Sequence, residues 1–292
     1  MTSLRAEVDR AAAALDAADV PSPRTDAALL AGHALGVGRA EIERRLLLGG
    51  DIDDAAVARL EGLVAERATR VPLQHLTGTA PFRRLELQVG PGVFVPRPET
   101  EGAVDHVLAE LAGAEAPVVV DLCAGSGALA LAVADELPGA VVTAVEVSDL
   151  ALAWAARNVA ATGLPVDLVA ADATADPAGV EGLAELVGRV DAVVSNPPYI
   201  PVGMVPLEPE VAEHDPDLAL YGGSEDGQAV PLAVAVTASR MLRPGGLLVM
   251  EHAEGQGKAL PRALAATGVW EDVTDHPDLT GRPRTTTARR RP

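Results

Sequence analysis

The strongest candidates for chemistry in this sequence are four consecutive residues, Asn196, Pro197, Pro198 and Tyr199, which follow the apolar run Val190–Ser195. Each proline fixes φ and lacks a backbone donor, so the segment holds its carbonyl groups in place with few competing hydrogen bonds. Asn196 adds a side-chain carbonyl oxygen, and Tyr199 adds a flat ring face and a hydroxyl group. A stiff segment that presents mainly acceptors suits an incoming –NH₂ group.

Such a set of acceptors fits the methylation of a planar nitrogen, for example that of an amide. This nitrogen is a poor nucleophile because its lone pair is delocalised into the carbonyl group. Acceptors at Asn196 Oδ1 and the Pro197 carbonyl would orient the two N–H bonds, and they would bind more strongly as the nitrogen becomes positive. The remaining rate enhancement comes from positioning the nitrogen in line with the methyl group to be transferred, and no general base is needed before transfer. Taken alone, the same four residues could simply be a turn after a strand.

A second set of residues predicts a nucleotide-like ligand. The run Val118–Leu122 is followed by a loop of small residues and then by a helical pattern; the loop residues are Cys123, Ala124, Gly125, Ser126 and Gly127. Such a loop allows a ligand to approach the backbone and the helix N-terminus closely. The next strand ends on Glu146, an acid placed to accept hydrogen bonds from ribose hydroxyl groups. Together these features predict a cofactor that contains adenosine.

The loop sequence favours S-adenosylmethionine over NAD. NAD-binding loops follow the pattern G-x-G-x-x-G, and this loop lacks the third glycine. Asp121, at the strand end, suits the cationic amino group of a methionine moiety better than a pyrophosphate. Asp172, after the third strand, could meet the adenine amino group, although a helix cap or surface turn explains it about equally well. A dehydrogenase is therefore the least favoured enzyme class.

The elements around these residues predict an α/β fold with a doubly wound, mostly parallel sheet of the Rossmann-like kind. Continuous apolar strands that alternate with amphipathic helices indicate a sheet covered on both faces. The predicted strands are Val118–Leu122, Val141–Val147, Val166–Ala170, Val190–Ser195 and Leu247–Glu251. In open sheets of this kind ligands bind at the carboxyl ends of the strands, which is where all the candidate residues lie.

The sequence predicts three regions. Residues 1–76 show only helical patterns, with a Ser22-Pro23 start signal before one helix and Asp53 as the cap of another. We interpret this region as a helical substrate-docking domain. Residues 77–97 are rich in Gly and Pro and contain strand-like runs at 85–89 and 93–95, which predict a hairpin linker. Residues 98–292 form the predicted catalytic domain.

Bulk composition limits the class of partner. The 292 residues include 42 acidic and 23 basic side chains, a net charge of −19, which disfavours direct binding of a nucleic acid through many phosphates. The sequence contains no apolar run long enough to predict a membrane span. The charged N-terminus MTSLRAEVDR is unlike a secretory signal, and a single cysteine excludes an internal disulfide. Cytoplasmic residence is the expectation.

Longer motifs give the chain a family resemblance. They are PSPRTDAALLAGHALG, PLQHLTG, FVPRPETE, DLCAGSGALALA, VVSNPPYI, DPDLALYGGSEDG and DLTGRPRTT. Over almost its whole length the chain resembles the bacterial peptide-chain release-factor glutamine N5-methyltransferases, the HemK/PrmC family. Asn-Pro-Pro-Tyr is also found in methyltransferases that act on adenine amino groups, so it indicates the reaction rather than the substrate. The other motifs are more specific.

This resemblance implies a class I methyltransferase with a seven-stranded sheet whose last strand is antiparallel. It implies S-adenosylmethionine as donor, S-adenosylhomocysteine as product, and class I peptide-chain release factors as partners. The acceptor would be the side-chain N5 of the glutamine in their Gly-Gly-Gln motif. No direct nucleic-acid binding and no membrane attachment are expected.

The resemblance also assigns roles to residues. It implies that Asn196 to Tyr199 clamp the glutamine and that a lid over the cofactor includes Phe94, Arg97, Glu99 and Thr100. The residues expected to line the cofactor are Cys123, Ala124, Gly125, Ser126, Gly127, Glu146, Ala173 and Asn196. Two positions depart from the family pattern. Cys123 stands where glycine is usual, and Ala173 stands where relatives can carry an aromatic residue.

Two alternatives remain open at this point. One is adenine-N6 methylation of a flipped base in nucleic acid, which the acidic composition disfavours. The other is a cofactor-binding scaffold without catalysis, suggested by the two departures and disfavoured by the intact Asn-Pro-Pro-Tyr. An acidic stretch after the clamp (Glu208, Glu210, Glu213 and Asp215) is interpreted as a solvated loop, or as a surface that steers a basic partner.

Overall fold

A computed structural model describes residues 2–292 of the chain. The chain divides into two compact units. The first contains the residues up to Thr79 together with Pro206–His214, and the second contains Ala80–Val205 and Asp215–Pro292. Each unit has its own hydrophobic core, so each is described separately.

The first unit is helical. Its helices are Leu4–Asp16, Pro23–Leu35, Arg39–Leu48, Asp54–Ala68, Leu73–Thr77 and Pro209–His214, with a minimal strand pair of Thr2–Ser3 and Asp51–Ile52. The predicted signals are confirmed: Pro23 begins one helix, and the Asp53 side chain accepts a hydrogen bond from the Ala56 N–H at 2.8 Å. The core consists of aliphatic side chains at helical spacing, such as Leu4, Val8 and Leu15.

A buried ion-pair network fixes the helix Pro209–His214 within this unit. Arg67 lies 2.8 Å from Asp26 and 2.8 Å from Glu210, and Arg70 binds the same glutamate at 2.6 Å. The neighbouring arginines lower the pKa of Glu210 to about 2 although burial acts in the opposite direction. The interpretation of the acidic stretch as a solvated loop is therefore wrong for Glu210, because this carboxylate has internal cationic partners.

The second unit is built on a seven-stranded sheet. We number its strands in chain order: β1 Val118–Leu122, β2 Val141–Glu146, β3 Val166–Ala170, β4 Val190–Ser195, β5 Leu242–Glu251, β6 Trp270–Pro277 and β7 Pro283–Arg290. Their order across the sheet is β6-β7-β5-β4-β1-β2-β3. β7 is antiparallel to both its neighbours, whereas β1 to β5 are mutually parallel. The predicted fold class is confirmed.

Helices cover both faces of this sheet. They are Glu101–Leu111, Ala128–Glu136, Asp149–Thr162, Asp217–Leu220, Ala229–Met241 and Ala259–Ala266, with short 3₁₀ turns at Pro98–Thr100, Pro177–Gly179, Ala184–Leu186 and Glu254–Gln256. Alternate residues of each central strand join two different clusters. Val119 and Val194 pack on one face, and Val120 and Val193 pack on the other. Burial on both faces explains why these strands read as continuous apolar runs.

A separate two-stranded hairpin, Thr79–Phe82 and Leu85–Gln88, precedes the sheet. The predicted strand at 93–95 is wrong, because no strand forms there. Gly92 has φ +91°, and Pro96 cannot donate a hydrogen bond. Val93 and Val95 are nevertheless buried, in a small cluster with Trp154. Their apolar character reflects this packing rather than strand pairing.

Candidate active site

Four polar residues lie at the carboxyl edge of the parallel strands. They are Asp121 near the end of β1, Glu146 at the end of β2, Asn196 directly after β4, and Glu251 at the end of β5. The strand register places Leu122 beside Ser195, and Ser195 beside Met250. The loop after β1, the segment after β4 and Glu251 are therefore neighbours in space, although they lie far apart along the chain.

The loop after β1 takes a left-handed backbone conformation at alternate residues. Cys123, Gly125 and Gly127 have φ angles of +68°, +57° and +81°. A Cβ atom built on Gly125 would meet no atom within 4 Å, so open space lies next to this residue. Gly127 directly precedes the helix Ala128–Glu136. The loop thus leaves its backbone accessible to a ligand, as the sequence predicts.

Cys123 has a backbone conformation that ordinarily favours glycine. A left-handed φ costs an L-residue with a side chain about 1–2 kcal/mol, a cost that glycine would avoid. Burial raises the pKa of the Cys123 thiol, and the nearby carboxyl groups of Glu146 and Asp121 raise it further. The thiol therefore stays protonated at neutral pH, which disfavours a nucleophilic or redox role.

The Glu146 carboxylate is fixed against the loop by two backbone donors. Its Oε2 accepts from the Gly125 N–H at 2.8 Å, and its Oε1 accepts from the Ser148 N–H at 2.8 Å. Each oxygen keeps a second lone pair, so the group can still accept hydrogen bonds from two vicinal hydroxyl groups. This geometry fits the predicted contact with ribose.

Asn158 is a supporting residue that the sequence reasoning missed. Its Nδ2 donates to the carbonyl groups of Ser126 and Gln88, each at 3.0 Å, and its Oδ1 accepts from the Gln88 N–H at 2.7 Å. It therefore ties the loop after β1 to the hairpin strand Leu85–Gln88. An asparagine on the packed face of an otherwise apolar helical pattern was the available signal.

Asp121 supplies a buried carboxyl group with one unsatisfied oxygen. Its Oδ2 accepts from the Ala130 N–H at 3.1 Å, whereas its Oδ1 has no hydrogen-bond partner among the residues described. Burial raises the pKa of Asp121 to about 7. A cationic group placed beside it would compensate this cost and favour the ionised form. The site thus fits the amino group of S-adenosylmethionine.

The Asn196 amide has a defined orientation. Its Nδ2 donates to the Thr100 hydroxyl at 3.4 Å, which leaves Oδ1 as the acceptor end of the amide. The Tyr199 hydroxyl donates to Glu251 Oε1 at 3.3 Å, and the Tyr199 carbonyl accepts from Gln256 Nε2 at 3.0 Å. Burial raises the pKa of Tyr199, so its hydroxyl remains a donor at neutral pH.

The segment behind the clamp explains the glycines of the YGGSEDG motif. A Cβ atom on Gly227 would lie 2.1 Å from the Tyr199 carbonyl oxygen, and one on Gly222 would lie 2.0 Å from the Gly227 carbonyl oxygen. Ile200 forms a parallel bridge to Tyr221. The backbone of this motif packs directly against the clamp, and a side chain would displace it.

Glu251 is the other residue that sequence reasoning missed. It is completely buried, and burial raises its pKa to about 7, while a hydrogen bond from Thr100 and the charge of Arg284 act against this rise. A single acid at the carboxyl end of the apolar run Leu247–Glu251 was a readable signal, since ligands bind at that edge.

The residues assigned to a lid lie in different environments. The Arg97 guanidinium stacks 5.1 Å from the centre of the Phe94 ring and lies 3.1 Å from Asp215 Oδ2. Thr100 is buried next to Asn196, whereas the Glu99 side chain is exposed. Asp215, which we interpreted as part of a solvated loop, is buried, so that interpretation is wrong for this residue as well.

Asp172 and Ala173, which lie in the loop after β3, have different surroundings. Asp172 is exposed, and its Oδ1 accepts from the N–H and the hydroxyl of Thr174 at 2.8 and 2.7 Å. Ala173 is buried in the core on one face of the sheet. Asp172 thus has the turn geometry of the simpler interpretation. Within residues 2–292, no group of three or more His, Cys, Asp or Glu side chains could hold a metal ion.

The sheet topology and the loop after β1 define a class I methyltransferase. A model of the PrmC N-terminal domain matches residues 8–78, and a model of the methyltransferase small domain matches residues 84–205. A 16S rRNA N2 G1207 methyltransferase of T. thermophilus, solved with AdoMet and guanosine, has the same fold. Its TM-score is 0.50 at 24% identity, over 73% of this chain and 50% of that chain.

Full-length relatives define the family more narrowly. A release factor glutamine methyltransferase of Mycolicibacterium smegmatis is 51% identical over 99% of both chains. A Streptomyces pristinaespiralis protein named 4-amino-L-phenylalanine/4-methylamino-L-phenylalanine methyltransferase is 40% identical, over 87% of this chain and 84% of that one. The chain belongs to the release factor glutamine methyltransferase family. It is a methyltransferase, and S-adenosylmethionine is its methyl donor.

Proposed function

We propose that this enzyme methylates the side-chain N5 of the glutamine in the Gly-Gly-Gln motif of class I peptide-chain release factors. The choice of substrate is supported by the release factor glutamine methyltransferase relative that is 51% identical over 99% of both chains, and the reaction is supported by the orientation of the Asn196 amide. Because Nδ2 donates to Thr100, the Oδ1 end is directed to accept a hydrogen bond from a substrate –NH₂ group. Release factors are cytoplasmic components of translation termination, so the proposal also places the enzyme in the cytoplasm.

The residues around the loop after β1 would hold the donor. Glu146 would accept hydrogen bonds from the ribose hydroxyls, and the unsatisfied Asp121 Oδ1 would face the amino group. The residues 123–127, with Asp172 and Ala173 near the adenine, complete the proposed cofactor site. The donor supplies an electrophilic methyl group on a sulfonium centre.

The clamp would hold the acceptor amide. Asn196 Oδ1 and the Pro197 carbonyl accept hydrogen bonds from its two N–H groups, while Pro198 and Tyr199 limit its movement. Transfer of the methyl group to the amide nitrogen would break the carbon–sulfur bond of the donor and leave S-adenosylhomocysteine, and water would take up the N–H proton that is released. The acceptors stabilise the positive charge that develops on nitrogen, which lowers the barrier. Phe94, Arg97, Glu99 and Thr100 belong to the proposed lid.

Exposed apolar side chains beside the clamp support a protein substrate. Val202, Met204 and Val205 follow the clamp directly, and their side chains are 57%, 54% and 72% exposed. Exposed apolar side chains grouped in one short segment after the clamp suit contact with a protein surface. The net charge of −19 disfavours adenine methylation in nucleic acid, which would bring a polyanion to the same edge.

An assay with four acceptors tests the proposal. The purified enzyme is incubated with methyl-labelled S-adenosylmethionine and a class I release factor, the same factor with Gln→Ala in its Gly-Gly-Gln motif, adenine-containing DNA, or 4-amino-L-phenylalanine. The last acceptor is included because one 40% identical relative is named for it. Mass spectrometry then locates the added methyl group.

We expect one methyl group on the motif glutamine and none on the Gln→Ala factor. Methylation of DNA or of 4-amino-L-phenylalanine, with an unmodified release factor, would overturn the proposed substrate. Labelling of the Gln→Ala factor would show that a different residue is the acceptor.

A further inference from the structure

Gln256 connects three separate segments of the second unit through one buried side chain. It is 6% exposed and lies in the 3₁₀ turn Glu254–Gln256, after β5. Its Oε1 accepts from the Ala253 N–H at 3.0 Å, and its Nε2 donates to the carbonyl groups of Tyr199 at 3.0 Å and Asp226 at 2.9 Å. The amide oxygen and both N–H donors of this side chain are therefore in use.

The acceptor end of this side chain has a local explanation, whereas the donor end does not. The bond from Ala253 caps the 3₁₀ turn that contains Gln256 itself, and a carboxylate of the same length could also make it. The Nε2 group instead bonds to two carbonyl groups outside this turn. One belongs to the clamp, and the other to the turn 222–227 behind it. Only an amide can cap the first turn and donate to both carbonyl groups.

The clamp needs external support because its middle residues offer few hydrogen bonds. Pro197 and Pro198 have no N–H group. The start of the clamp is fixed by β4, which pairs with β1 on one side and with β5 on the other. At its far end, the Tyr199 carbonyl accepts from Gln256 Nε2. This side chain is thus the support that the clamp receives on the side away from the sheet.

The turn 222–227 is attached to the same end of the clamp at two places. The Ile200 N–H donates to the Leu220 carbonyl at 2.8 Å, and the Ile200 carbonyl accepts from the Gly222 N–H at 2.9 Å. The second attachment is Gln256, because one Nε2 group holds the carbonyl of Asp226 and that of the clamp. Loss of the two donors would therefore release the turn and the end of the clamp together.

We propose that Gln256 is a positioning residue for methyl transfer, which fixes the end of the clamp through the donor end of its amide. Few free torsions separate Tyr199 from the Pro197 carbonyl, because each proline fixes φ, so a shift at Tyr199 would also move this acceptor. The kinetic part of the inference rests on the proposed function. The hydrogen bonds of Gln256 involve none of the residues proposed to hold the cofactor, so affinity for the donor should not depend on it.

The first test is kinetic and uses Gln256→Glu, which keeps the acceptor for Ala253 and removes both donors. At pH 8 and saturating S-adenosylmethionine, we expect kcat for the release factor to fall roughly 10–100-fold, less than for the loss of a direct transition-state contact. Affinity for S-adenosylmethionine should change by less than about twofold. Gln88→Glu is the matched control and should behave like the wild type, since Gln88 bonds to Asn158 through its main chain.

The pH profile separates positioning from a general structural role. Burial and two facing carbonyl groups raise the pKa of the carboxyl group that Gln256→Glu introduces, and its protonated form regains one donor. The loss of kcat relative to the wild type should therefore shrink to below about fivefold at pH 5.5. Gln256→Met, which cannot ionise or donate, should be roughly 10–100-fold slower than the wild type at both pH values.

The comparison at each pH is made against the wild type because other groups near position 256 also titrate or carry charge. Besides Tyr199, they are Asp226, His252, Glu254, Lys258, Asp275 and Arg284. All the variants share these groups, so the ratio of kcat values isolates position 256. Urea unfolding checks that each variant is folded, and Gln256→Met provides the kinetic test if Gln256→Glu is unfolded at pH 8.

Three kinetic results would overturn the positioning role. The first is a kcat within about twofold of the wild type for a folded Gln256→Glu or Gln256→Met at pH 8. The second is a loss in Gln256→Glu that is the same at pH 5.5 and pH 8. The third is an affinity for S-adenosylmethionine that falls as much as kcat, which would indicate a general disturbance of the fold.

A second readout needs no substrate. Main-chain hydrogen exchange at Ile200 and Gly222 is followed by NMR in the wild type and in Gln256→Glu at pH 8. We expect exchange at both amides to be at least about tenfold faster in the variant, with Val193 on β4 unchanged. Equal exchange rates would overturn the inference. A wild type that methylates no release factor, but shows this difference, would refute the proposed substrate and support the fixing of the clamp by Gln256.

Discussion

At the scale of single residues, the Asn196 side chain combines two tasks. Its Nδ2 end is held by Thr100, and its Oδ1 end remains for the substrate. We expect Asn196→Ala to lower kcat by roughly 10²–10³-fold, as for the loss of one transition-state hydrogen-bond partner. Initial-rate assays with the release factor measure this change, and urea unfolding checks that the variant is folded. Activity within a few-fold of the wild type would contradict the clamp.

Cys123 allows a second prediction, which concerns stability. Cys123→Gly removes the left-handed strain of about 1–2 kcal/mol, which stabilises the folded protein. It also loses packing and raises the entropy of the unfolded chain, which both destabilise the folded protein. The free energy of unfolding of this variant should therefore lie within about 1 kcal/mol of the wild type. Cys123→Val places a β-branched side chain at φ +68° and should lose at least about 2 kcal/mol. Urea unfolding of both variants provides the comparison. Equal stability of the two would show that the left-handed conformation is not maintained.

At the scale of elements, the clamp depends on the turn that packs behind it. We expect Gly227→Ala to lower kcat and to destabilise the second unit, because its Cβ would lie 2.1 Å from the Tyr199 carbonyl oxygen at a φ of +71°. Both kcat and the free energy of unfolding are measured. Gly62→Ala is the matched control, since a Cβ there meets nothing within 4 Å in the helix Asp54–Ala68. That variant should keep full activity and be unchanged or slightly stabilised. A fully active Gly227→Ala variant would show that the turn can shift and that the clamp does not depend on its packing.

At the scale of the whole molecule, two buried carboxyl groups link stability to pH. Burial raises the pKa of Asp121 and of Glu251 to about 7, well above the value of about 4 expected in an unfolded chain. Between these values the folded protein binds more protons than the unfolded chain. Their contribution to the free energy of unfolding is therefore complete below about pH 4 and is lost as pH rises through 7.

Without the cofactor, we expect these two groups together to remove on the order of 5 kcal/mol of the free energy of unfolding between pH 5 and pH 7.5. Burial lowers the pKa values of His106 and His276, so these residues act in the opposite direction below about pH 6.5. Chemical unfolding is therefore compared between the wild type and the Asp121→Asn/Glu251→Gln variant. If ionised carboxylates lower the stability of the wild type at neutral pH, the difference in free energy of unfolding between the two proteins should shrink as pH falls toward 5. A difference that does not change with pH would contradict this account.

Of the helices in residues 2–292, none is both long enough and apolar enough to cross a bilayer.

The fold was readable from the sequence where local patterns are strong. The strands β1, β2 and β4 are mostly apolar because both faces of the sheet are covered there, whereas the edge strand β3 is partly exposed. Pro23 and Asp53 indicated helix starts by local chemistry. β6 and β7 were not found by periodicity, since their burial patterns are mixed and their residues largely polar. The resemblance to a family supplied them instead. Val93 and Val95 were misread because burial, rather than strand pairing, makes them apolar.

The candidate site could be predicted only in part from the sequence, because some of its contacts join residues that are far apart along the chain. The sequence by itself determined the residue types that chemistry needs: the acceptors at Asn196 and Pro197, the small-residue loop, and the acid Glu146 at a strand end. Each is encoded within a few residues of chain. Only the tertiary structure decided that Asn196 donates to Thr100 and that Tyr199 donates to Glu251, because strand pairing across the sheet brings together residues that are far apart in the sequence. Local pattern specifies elements, whereas the direction of a buried hydrogen bond depends on which partners the folded sheet places beside it.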